Sequence, residues 1–485
     1  MNDELYPLGS LSQSPADIYS RLQTFPYSFF LDSALFSEKL GRFSFIGIDP
    51  FLIFKSKKDR IEIEFKGRKN ILRGNPFLVL KDLLSRFKVK KGNRSVPFTG
   101  GAVGYFSYDL KDFNELLPDF ARDDLELPES FLCFYDTVLA FDHFKKHYFI
   151  ASTGFPEKGR KRASRQKARL EWLRSMVLQG GDRSQLSGLA SGRDLSPLRL
   201  KSNFTKTQYV EAVKKAKQYI EKGDIYQVNL SQRFTAELEN TDPFYLYKVL
   251  RNINPAPFAA FLNFSDVKIA SASPERFIKK DGQIIQTRPI KGTRPRHPDP
   301  SRDVFLREEL AKSTKDRAEN LMIIDLERND LGRISEYGSV RVTEFMKTEE
   351  YATVYHLTST IEGVLRKGIT PADCLVNCFP GGSITGAPKI RSMEIIEELE
   401  PVKRSVYTGS IGYMGFDGNM DTSIAIRTFV IKDKTAYFHV GGGIVYDSDP
   451  EKEYQETLDK AKALIEALNK THEHRVPKRQ TCSVK

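Results

Sequence analysis

The stretch "SIGYMGFDGNMDTSIAIRTFVIKDKTAYFHVGGGIV", residues 410–445, decides the fold class. Its apolar and polar residues alternate, which is the period of a half-buried β-strand. Asp417–Gly418 and Asp433–Lys434 stand between the alternating runs, where tight turns would connect consecutive strands. The stretch therefore predicts a meander of antiparallel strands.

Strand patterns also dominate residues 1–150, far upstream of this meander. The segments "IEIEFKG", "FLCFYDTVLAFDH" and "HYFIAST" alternate or are rich in aromatic and β-branched residues. Amphipathic helices are predicted in "TKTQYVEAVKKAKQYIEKGD", "APKIRSMEIIEELEP" and "DPEKEYQETLDKAKALIEALNK". Asp449 suits the N-cap of the last helix, and Pro450 suits its first position. Long antiparallel strands with interspersed helices predict an α+β fold.

The charge of the chain is unevenly distributed. Its 485 residues carry a net charge of +12, which raises nucleic acid as a candidate partner. Residues 157–183 carry +6 and residues 470–485 carry +4, so the remainder is nearly neutral, unlike a groove that is basic along its length. We divide the chain into an N-terminal region (1–155), a basic helix and linker insertion (156–201), a C-terminal region (202–470) and a basic tail (471–485).

The composition predicts a cytoplasmic globular protein. Mean hydropathy is −0.42, and no apolar run reaches the roughly 18 residues that would span a bilayer. The segment "MNDELYPLGS" lacks the basic-then-apolar layout of a secretion signal. The cysteines form no Cys-x-x-Cys pair, so we expect a reduced setting and no zinc site; they are Cys133, Cys374, Cys378 and Cys482.

Lys291 stands out in "QTRPIKGTRPR", residues 286–296, because two arginines flank it. Positive charges at Arg288 and Arg294 would lower the pKa of its ammonium, and a free amine is a nucleophile. A solvated basic loop is the alternative interpretation, since a short motif without context is weak.

Glu275 precedes this lysine in "SASPERF". Ser273 and Pro274 favour the start of a short helical turn, whose positive end would hold the Glu275 carboxylate. A carboxyl group and an amine on neighbouring elements can divide the acid and nucleophile roles. An ordinary helix start explains the same residues equally well.

Two predicted helices each carry acidic residues three positions apart, Asp316 with Glu319 and Glu453 with Glu456. This spacing places both carboxylates on one helix face. Four converging carboxylates would suit Mg²⁺, a hard cation that prefers oxygen ligands. Solvated surface charges beside lysines are the alternative interpretation.

Two further features lie on predicted strands. His356 falls on the polar face of "TVYHLTST", where a lone histidine is more often structural than catalytic. The three glycines of "HVGGGIV", residues 439–445, would let backbone N–H groups approach an anion. They do not form a dinucleotide-binding pattern, which needs a different spacing and a following helix.

The chain as a whole resembles the chorismate-utilising enzymes, the family that includes component I of anthranilate synthase and of aminodeoxychorismate synthase. The resemblance spans nearly all of the chain except 156–201 and the tail. It implies two large antiparallel sheets packed face to face, with helices outside and a chorismate site in the cleft, formed largely by 202–470. The similar stretches, in order, are "GRFSFIG", "PFTGGAVGYFSYD", "GDIYQVNLSQRF", "NPAPFAAFL", "SASPERF", "TRPIKGTRPR", "DRAENLMIIDLERNDLGR", "YHLTSTIEG", "FPGGSITGAPKIRSMEII", "YTGSIGY", "AIRT" and "GGGIVYDSDPEKEYQET".

The resemblance implies catalytic roles for Lys291 and Glu275. Lys291 would add to C2 of chorismate while Glu275 protonates the departing C4 hydroxyl. Anthranilate synthases have "PIAGT" where this chain has "PIKGT". The lysine is similar to that of the aminodeoxychorismate branch, which makes 4-amino-4-deoxychorismate for 4-aminobenzoate and folate. Gln227 stands where water-using members carry a lysine, which argues against water as the incoming nucleophile.

The resemblance also implies residues for the two carboxylates and the ring of chorismate. The ring carboxylate would bind Mg²⁺, held directly by Glu319 and Glu456, with Asp316 and Glu453 behind waters. The enolpyruvyl carboxylate would meet Tyr407, Arg427 and the backbone of Gly442 and Gly443. The ring would be lined by His356 and Ser383, a serine where threonine is frequent in the family.

Ammonia is expected from a separate glutamine amidotransferase, because this chain shows no nucleophile-elbow cysteine. Family members also bind tryptophan near the equivalents of "FLDSA" and "NPAPF". This chain has Asp32 where feedback-inhibited members carry glutamate, so tryptophan regulation stays open. Anthranilate synthase component I is the second candidate, and a nucleic-acid or scaffold protein using the basic segment is a distant third.

Overall fold

The computed structural model describes residues 4–36, 40–89, 95–178, 198–239, 241–351 and 354–473. The β-strands of these residues are β1 (Glu4–Gly9), β2 (Ser28–Asp32), β3 (Phe43–Gly47), β4 (Leu52–Lys57), β5 (Arg60–Phe65), β6 (Arg68–Arg73), β7 (Gly101–Phe106), β8 (Ser130–Tyr135), β9 (Thr137–Asp142), β10 (His147–Ser152), β11 (Leu200–Ser202), β12 (Gln227–Glu237), β13 (Phe258–Phe264), β14 (Val267–Ser273), β15 (Arg276–Asp281), β16 (Ile284–Arg288), β17 (Ile290–Pro295), β18 (Arg341–Glu350), β19 (Val354–Val364), β20 (Gly386–Ala387), β21 (Ser410–Gly415), β22 (Met420–Ile424), β23 (Thr428–Lys432) and β24 (Thr435–Ile444).

The helices of the described residues follow the cap and proline signals of the sequence. Thr205 accepts a hydrogen bond from the Gln208 N–H, and the Asp449 carboxylate accepts from two N–H groups of the last helix. The α-helices are α1 (Pro15–Leu22), α2 (Pro76–Arg86), α3 (Gly159–Leu178), α4 (Lys206–Glu221), α5 (Pro243–Ile253), α6 (Pro300–Lys312), α7 (Thr314–Gly332), α8 (Pro371–Cys378), α9 (Lys389–Leu399) and α10 (Pro450–Glu473), with short 3₁₀ helices at Tyr108–Phe113 and Gly382–Ile384.

The strands form two twelve-stranded antiparallel sheets. The first sheet has the order β1-β10-β9-β3-β2-β13-β14-β23-β24-β12-β11, with β20 also paired with β12. The second has the order β17-β19-β16-β15-β22-β21-β7-β8-β4-β5-β6, with β18 also paired with β19.

The sheets pack face to face, with helices on both outer faces. Phe29 and Ile269 of the first sheet share a buried cluster with Tyr105 and Ile411 of the second. Helices α1, α3, α5 and α10 pack on the outer face of the first sheet, while α2, α7, α8 and α9 contribute to the cluster on the second. Burial of both faces of each sheet stabilises this layered arrangement. The predicted α+β fold is confirmed.

The meander predicted for residues 410–445 exists as four strands, but they do not stay in one sheet. Strands β21 and β22 pair in the second sheet, whereas β23 and β24 pair in the first. The chain crosses between sheets just before Arg427, whose φ of 50° is left-handed. A period of two residues continues through this crossing, so the sequence pattern did not reveal it.

The regions 1–155 and 202–470 both supply strands to each sheet, so they share one fold. Helix α3 of the segment 156–201 packs on β9 and β10 and buries Leu170, Leu173 and Val177. Its Arg165 donates to the Asp136 carboxylate at 2.8 Å. This helix is therefore part of the first sheet's outer layer. The predicted linker that follows it, 179–197, and the tail beyond 473 lie outside the described residues.

Two expectations about chain chemistry concern membranes and cysteines. Within the described ranges, no helix combines the length and apolar content that crossing a membrane would need. Cys133, Cys374 and Cys378 are buried free thiols. Cys482 lies outside the described residues.

Candidate active site

The site forms where two connections cross between the sheets side by side. One connection joins β14 to β15 and carries Glu275, and the other joins β22 to β23 and carries Arg427. The Ile424 N–H donates to the Glu275 carbonyl at 3.0 Å, and the Ser273 hydroxyl donates to the Ile424 carbonyl at 2.6 Å. The helical turn predicted at Ser273–Glu275 is wrong, because these bonds hold the segment as a direct strand-to-strand link.

Ser383 connects the predicted nucleophile with the predicted acid. The Lys291 Nζ donates to the Ser383 carbonyl at 3.3 Å. The Ser383 hydroxyl donates to the Glu275 Oε1 at 2.7 Å. Lys291 lies on β17 at the end of the second sheet, so β17, the β14–β15 connection and the 3₁₀ turn at Gly382–Ile384 meet at one point. The amine and the carboxyl group therefore share one positioning residue.

Burial raises the pKa of Glu275 to about 6, although the Ser383 hydrogen bond, Lys291 and the Ile290 N–H each oppose the rise. A carboxyl group with this pKa holds its proton over a useful part of the range near neutral pH. Only 5% of the Glu275 surface is exposed, so bulk water has little access to that proton.

The pKa of Lys291 is lowered, and the chief cause is loss of solvation. Glu319 and Glu275 favour the charged form, while the positive charge of Lys460 opposes it. Part of the side chain is still accessible through the cleft. The environment therefore favours a free amine that a substrate can reach.

The explanation predicted for this pKa, repulsion from Arg288 and Arg294, is wrong. The Arg288 guanidinium points toward Glu349 and donates to both oxygens of the Glu349 carboxylate, at 2.9 and 2.5 Å. Arg294 pairs with Glu309 and donates to the Asp316 Oδ2 at 3.0 Å. Their charges are neutralised locally by these carboxylates, and a register irregularity in β17 separates Lys291 from Arg294.

His356 and Arg427 stand near the acid. The Thr293 hydroxyl lies 2.9 Å from the His356 Nδ1. Burial, with Arg427 nearby, lowers the pKa of His356 to about 3, so the imidazole is neutral at physiological pH. The Arg427 Nη1 donates to the Asn254 Oδ1 at 3.1 Å, and burial lowers the pKa of Arg427. A neutral imidazole and a poorly solvated guanidinium suit an anionic ligand.

Strands β12 and β24 form another wall through bare glycines. A Cβ atom at Gly443 would lie 2.2 Å from the Gln227 Nε2, so a larger residue there would displace that amide. Gln227 is buried, and within the described ranges its Oε1 has no hydrogen-bond partner. The Tyr407 ring stacks on the ring of His439, which lies on β24 with the glycines, and the two ring centroids are 5.0 Å apart.

Two glutamates lie against the glycine seam, and a third glutamate acts on one of them electrostatically. A Cβ atom at Gly442 would lie 3.2 Å from the Glu453 Oε2 and 3.3 Å from the Glu456 Oε1. Among the described residues, the buried Glu453 Oε2 has no hydrogen-bond partner. Glu319 interacts electrostatically with Glu456, and burial raises the pKa of Glu319. An unpartnered carboxylate oxygen such as the Glu453 Oε2 is the kind of ligand that Mg²⁺ prefers.

The fourth predicted metal residue is engaged elsewhere. Asp316 accepts from Arg294 and packs against Gly292, where a Cβ atom would lie 2.9 Å from its carboxyl carbon. Among the described residues, no three potential ligands are already close enough to form a finished metal site.

Lys460 is a site residue that the sequence reasoning missed. Its Nζ donates to the Gly441 carbonyl at 2.9 Å and pairs with the Glu456 Oε1 at 2.7 Å. Its charge helps to lower the pKa of Lys291. The signal was available, because Lys460 lies four positions after Glu456 on one helix face.

A separate cavity of about 600 Å³ lies between the sheets, lined by parts of "FLDSA" and "NPAPF". Asp32 borders it, but the Tyr247 hydroxyl and Arg251 both donate to the Asp32 Oδ2, at 2.9 and 2.5 Å. The Asp32 carboxylate is therefore already engaged within the protein.

The fold and site define a class of protein: two face-to-face sheets with an amine of lowered pKa, a buried carboxyl group and a buried guanidinium near one another. The model of the chorismate binding enzyme family matches residues 32–466, and the chain belongs to this family. It is therefore a chorismate-utilising enzyme.

Relatives of nearly full length carry two different names. The chain is 40% identical to anthranilate synthase component 1 of Acetivibrio thermocellus over 469 residues, covering 96% of this chain and 94% of the relative. It is also 40% identical to aminodeoxychorismate synthase component 1 of Escherichia coli over 460 residues, covering 94% and 97%. The name "component 1" implies a separate second component in those relatives.

A solved structure supports the fold. Anthranilate synthase component I from Streptococcus pneumoniae superposes with a TM-score of 0.75 at 34% identity, covering 93% of this chain and 97% of that one. Equal identity to both named activities leaves the choice between them to the chemistry of the site.

Proposed function

We propose that this protein is an aminodeoxychorismate synthase component I, which converts chorismate and ammonia to 4-amino-4-deoxychorismate. One observation carries the proposal: Lys291 presents an amine with a lowered pKa to the cleft, joined to the acid Glu275 through Ser383. An alanine at this position could not form a covalent bond with the ring.

In the first step, the Lys291 amine adds to C2 of the chorismate ring. The ring double bonds shift, and the C4–O bond breaks. Hydroxide is a poor leaving group near neutral pH, so Glu275 gives its proton and the group departs as water. Ser383 places the acid beside the amine, which lets both bond changes occur on one bound ring.

In the second step, ammonia adds at C4, the double bonds shift back and the C2–N bond to Lys291 breaks. The ammonia nitrogen then carries one surplus proton, and its loss balances the proton that Glu275 gave up. The Lys291 amine, the Glu275 carboxylic acid and the double bonds of the ring are restored. The net reaction is therefore chorismate plus ammonia giving aminodeoxychorismate plus water.

The required protonation states set the pH dependence. Glu275 must be protonated and Lys291 neutral, which is the reverse of their states in water. The fraction of enzyme in this form is constant between the two pKa values and falls outside them. The lower limb of kcat/KM is therefore set by Glu275, near pH 6.

The substrate carboxylates need cationic partners. Arg427 and the N–H groups near Gly442 and Gly443 would hold the enolpyruvyl carboxylate, next to Tyr407, while His356 lines the ring. Glu319, Glu453 and Glu456 would hold Mg²⁺, which when bound supplies positive charge for the ring carboxylate. Gln227 offers an amide instead of a general base, which disfavours attack by water.

The proposed metal set has its own test. Titration of Mg²⁺ into wild-type protein should release heat and raise Tm, and Glu456→Gln should weaken both responses because one carboxylate ligand is lost. Glu308→Gln, an exposed carboxylate of α6, is the matched control. Equal Mg²⁺ responses in all three proteins would exclude this set.

The second candidate, anthranilate synthase component I, is favoured by the relatives that carry that name. The third, binding of nucleic acid by the basic segment, is disfavoured by its contacts. Arg162, Arg165 and Arg169 of α3 donate to Thr153, Asp136 and Asp49 of the protein itself.

Product analysis separates these candidates. Incubation with chorismate, Mg²⁺ and ammonium should give 4-amino-4-deoxychorismate, identified by mass and by conversion to 4-aminobenzoate with a suitable lyase. Fluorescent anthranilate with an equimolar amount of pyruvate would overturn the proposal in favour of the second candidate. Glutamine alone should not replace ammonium, because the ammonia is proposed to come from a separate glutamine amidotransferase.

A further inference from the structure

Arg404 is a buried arginine that no step above uses. About 2% of its surface is exposed. Its Nε donates to the Glu400 Oε2 at 2.9 Å, and its Nη2 donates to the Glu400 Oε1 at 2.7 Å. This two-bond pairing fixes the plane of the guanidinium group.

The remaining N–H groups of Arg404 reach two other chain segments. The Nη1 donates to the Ile384 carbonyl at 3.0 Å, and the Nη2 donates to the Asn229 carbonyl at 2.6 Å. Glu400 adds a further bond to β12, since its Oε1 accepts from the Ser231 N–H at 2.8 Å and from the Ser231 hydroxyl at 2.9 Å. One ion pair thus ties together segments far apart in sequence.

Each tied segment carries a wall of the active site. Ile384 directly follows Ser383, which contacts both the amine and the acid. Asn229 lies two residues after Gln227 on the same strand, so both side chains point to one face. The Arg404 Nη1 also donates to the Thr408 Oγ1 at 3.4 Å, and Thr408 directly follows Tyr407, which belongs to the third wall.

We propose that Arg404 is a positioning residue that holds the Ser383, Gln227 and Tyr407 walls in register around the substrate. The proposal rests on the proposed function for the identity of the reacting groups, but its observations are independent of the product. A guanidinium suits this role because its donors diverge in a plane and reach several acceptors at once.

Stability alone does not require this arrangement. A buried ion pair must recover the cost of removing both charges from water, and well-packed apolar residues often stabilise a protein as well. The pair does provide directed hydrogen bonds to three segments, which apolar side chains cannot. Its effect should therefore be larger on the reaction than on folding.

The expected variant is Arg404→Lys, which keeps a buried positive charge but loses the planar fork. Displacement of Ser383 would misalign both the amine and the acid, so kcat/KM for chorismate consumption should fall by about 100-fold, the scale of a 1 Å misplacement. The Ser383 hydrogen bond lowers the pKa of Glu275, so its loss should raise this pKa. The pH below which kcat/KM falls should then be higher than in the wild-type enzyme.

Arg233→Lys is the matched control. Arg233 is also buried, on β12, and pairs with both oxygens of Asp124 at 2.7 and 2.5 Å, but within the described part of the chain its side chain donates to none of the three walls. Both variants should lower Tm. Only Arg404→Lys should also lower kcat/KM strongly and raise the pH below which kcat/KM falls.

If Arg404→Lys has the same kcat/KM as Arg233→Lys, and if kcat/KM begins to fall at the same pH in both variants, the proposal is overturned and Arg404 is a purely structural residue. If Arg404→Lys does not fold, Ser231→Ala decides, because it removes one Glu400 contact and should give a smaller change in the same two quantities. An unchanged Ser231→Ala would then overturn it. Because the readout is loss of chorismate, formation of anthranilate would refute the proposed function without affecting this comparison.

Discussion

Two lysines set into the body of the protein, Lys111 and Lys291, have opposite electrostatic environments. Lys111 has no exposed side-chain surface, and its Nζ lies 2.6 Å from Asp112 and 3.4 Å from Glu397. Burial lowers the pKa of Lys111, but Asp109, Asp112 and Glu397 outweigh burial and raise it. This lysine is held as a cation.

Lys291 is more exposed than Lys111, yet the pKa of Lys291 is lowered, whereas that of Lys111 is raised. No carboxylate in the described part of the chain forms an ion pair with it, and its hydrogen bond goes to the neutral Ser383 carbonyl. Burial again lowers the pKa, and here the more distant carboxylates do not reverse it. The difference teaches that direct carboxylate contact, more than depth, decides whether a buried lysine is a cation or a nucleophile.

The largest expected effect that sharpens this comparison comes from Lys291→Arg. Guanidinium stays protonated, so the covalent route closes, and kcat should fall on the order of 10⁴-fold or more, the scale of losing a covalent nucleophile. The measurement is the initial rate of aminodeoxychorismate formation. Near wild-type rates would reduce Lys291 to an electrostatic contact.

Lys291→Ala tests the same residue in another way. It restores the "PIAGT" pattern and vacates space beside C2. Residual turnover should shift toward ammonia addition at C2 and formation of anthranilate, measured by fluorescence. A residual product that is aminodeoxychorismate alone would show that C4 is reached without the lysine.

The next effect concerns the acid. Glu275→Gln keeps the size of the side chain and can still contact Ser383, but it cannot give a proton to the leaving hydroxyl. Turnover should fall by about 10²–10⁴-fold, the range for general acid catalysis. The residual kcat/KM should also lose its flat region above pH 6 and keep rising with pH up to the pKa of Lys291, because only the neutral fraction of Lys291 still matters. A variant that keeps the break near pH 6 would assign this break to another group.

A smaller effect, on stability, tests both lysines together. Lys111→Met removes the cation nearest to the buried Asp109, while Lys403 still pairs with Glu397, so the free energy of unfolding should fall by about 1–3 kcal/mol. Lys291→Met removes an ammonium that its surroundings disfavour, so stability should be unchanged or higher. Urea unfolding at pH 7 measures both. Equal destabilisation of the two variants would contradict the comparison.

The smallest effect is the pH dependence of the wild-type enzyme. Burial raises the pKa of Glu275 to about 6 and lowers that of Lys291. Below about pH 6, Glu275 is already protonated while the neutral fraction of Lys291 keeps falling, so kcat/KM should drop about tenfold per pH unit. It should be flat above pH 6 until the pKa of Lys291. A decline beginning at pH 6 and continuing upward would contradict the assigned protonation states.

The sequence predicted the fold class well because alternation and capping are local signals. The strands of 410–445, the Thr205 cap and the Asp449 cap all follow from residues close in the chain. The double crossing between the sheets could not be predicted, because a strand has the same period in either sheet. The helical turn at Ser273 failed for a related reason, since a long-range bond from Ile424 overrides the local preference.

The candidate site was predictable as a set of residues but not as a geometry. The resemblance named Lys291, Glu275 and Ser383, and the structure places them in contact. The direction of Arg294 depends on a register irregularity in β17, and that of Arg288 on its partner Glu349, which spacing does not encode. Arg404 escaped notice because its role depends on the backbone carbonyls of Asn229 and Ile384, which have no sequence signature.

The central claim is that Lys291 is a nucleophile, and trapping tests it most directly. Wild-type protein should be mixed with chorismate and Mg²⁺ without ammonia, quenched, digested and examined by mass spectrometry, with Lys291→Arg as control. The account predicts a modified peptide that contains Lys291, carries the mass of chorismate less one water, and disappears when ammonium is added before quenching. An unmodified Lys291 peptide, in wild-type protein that forms aminodeoxychorismate once ammonium is supplied, would contradict it.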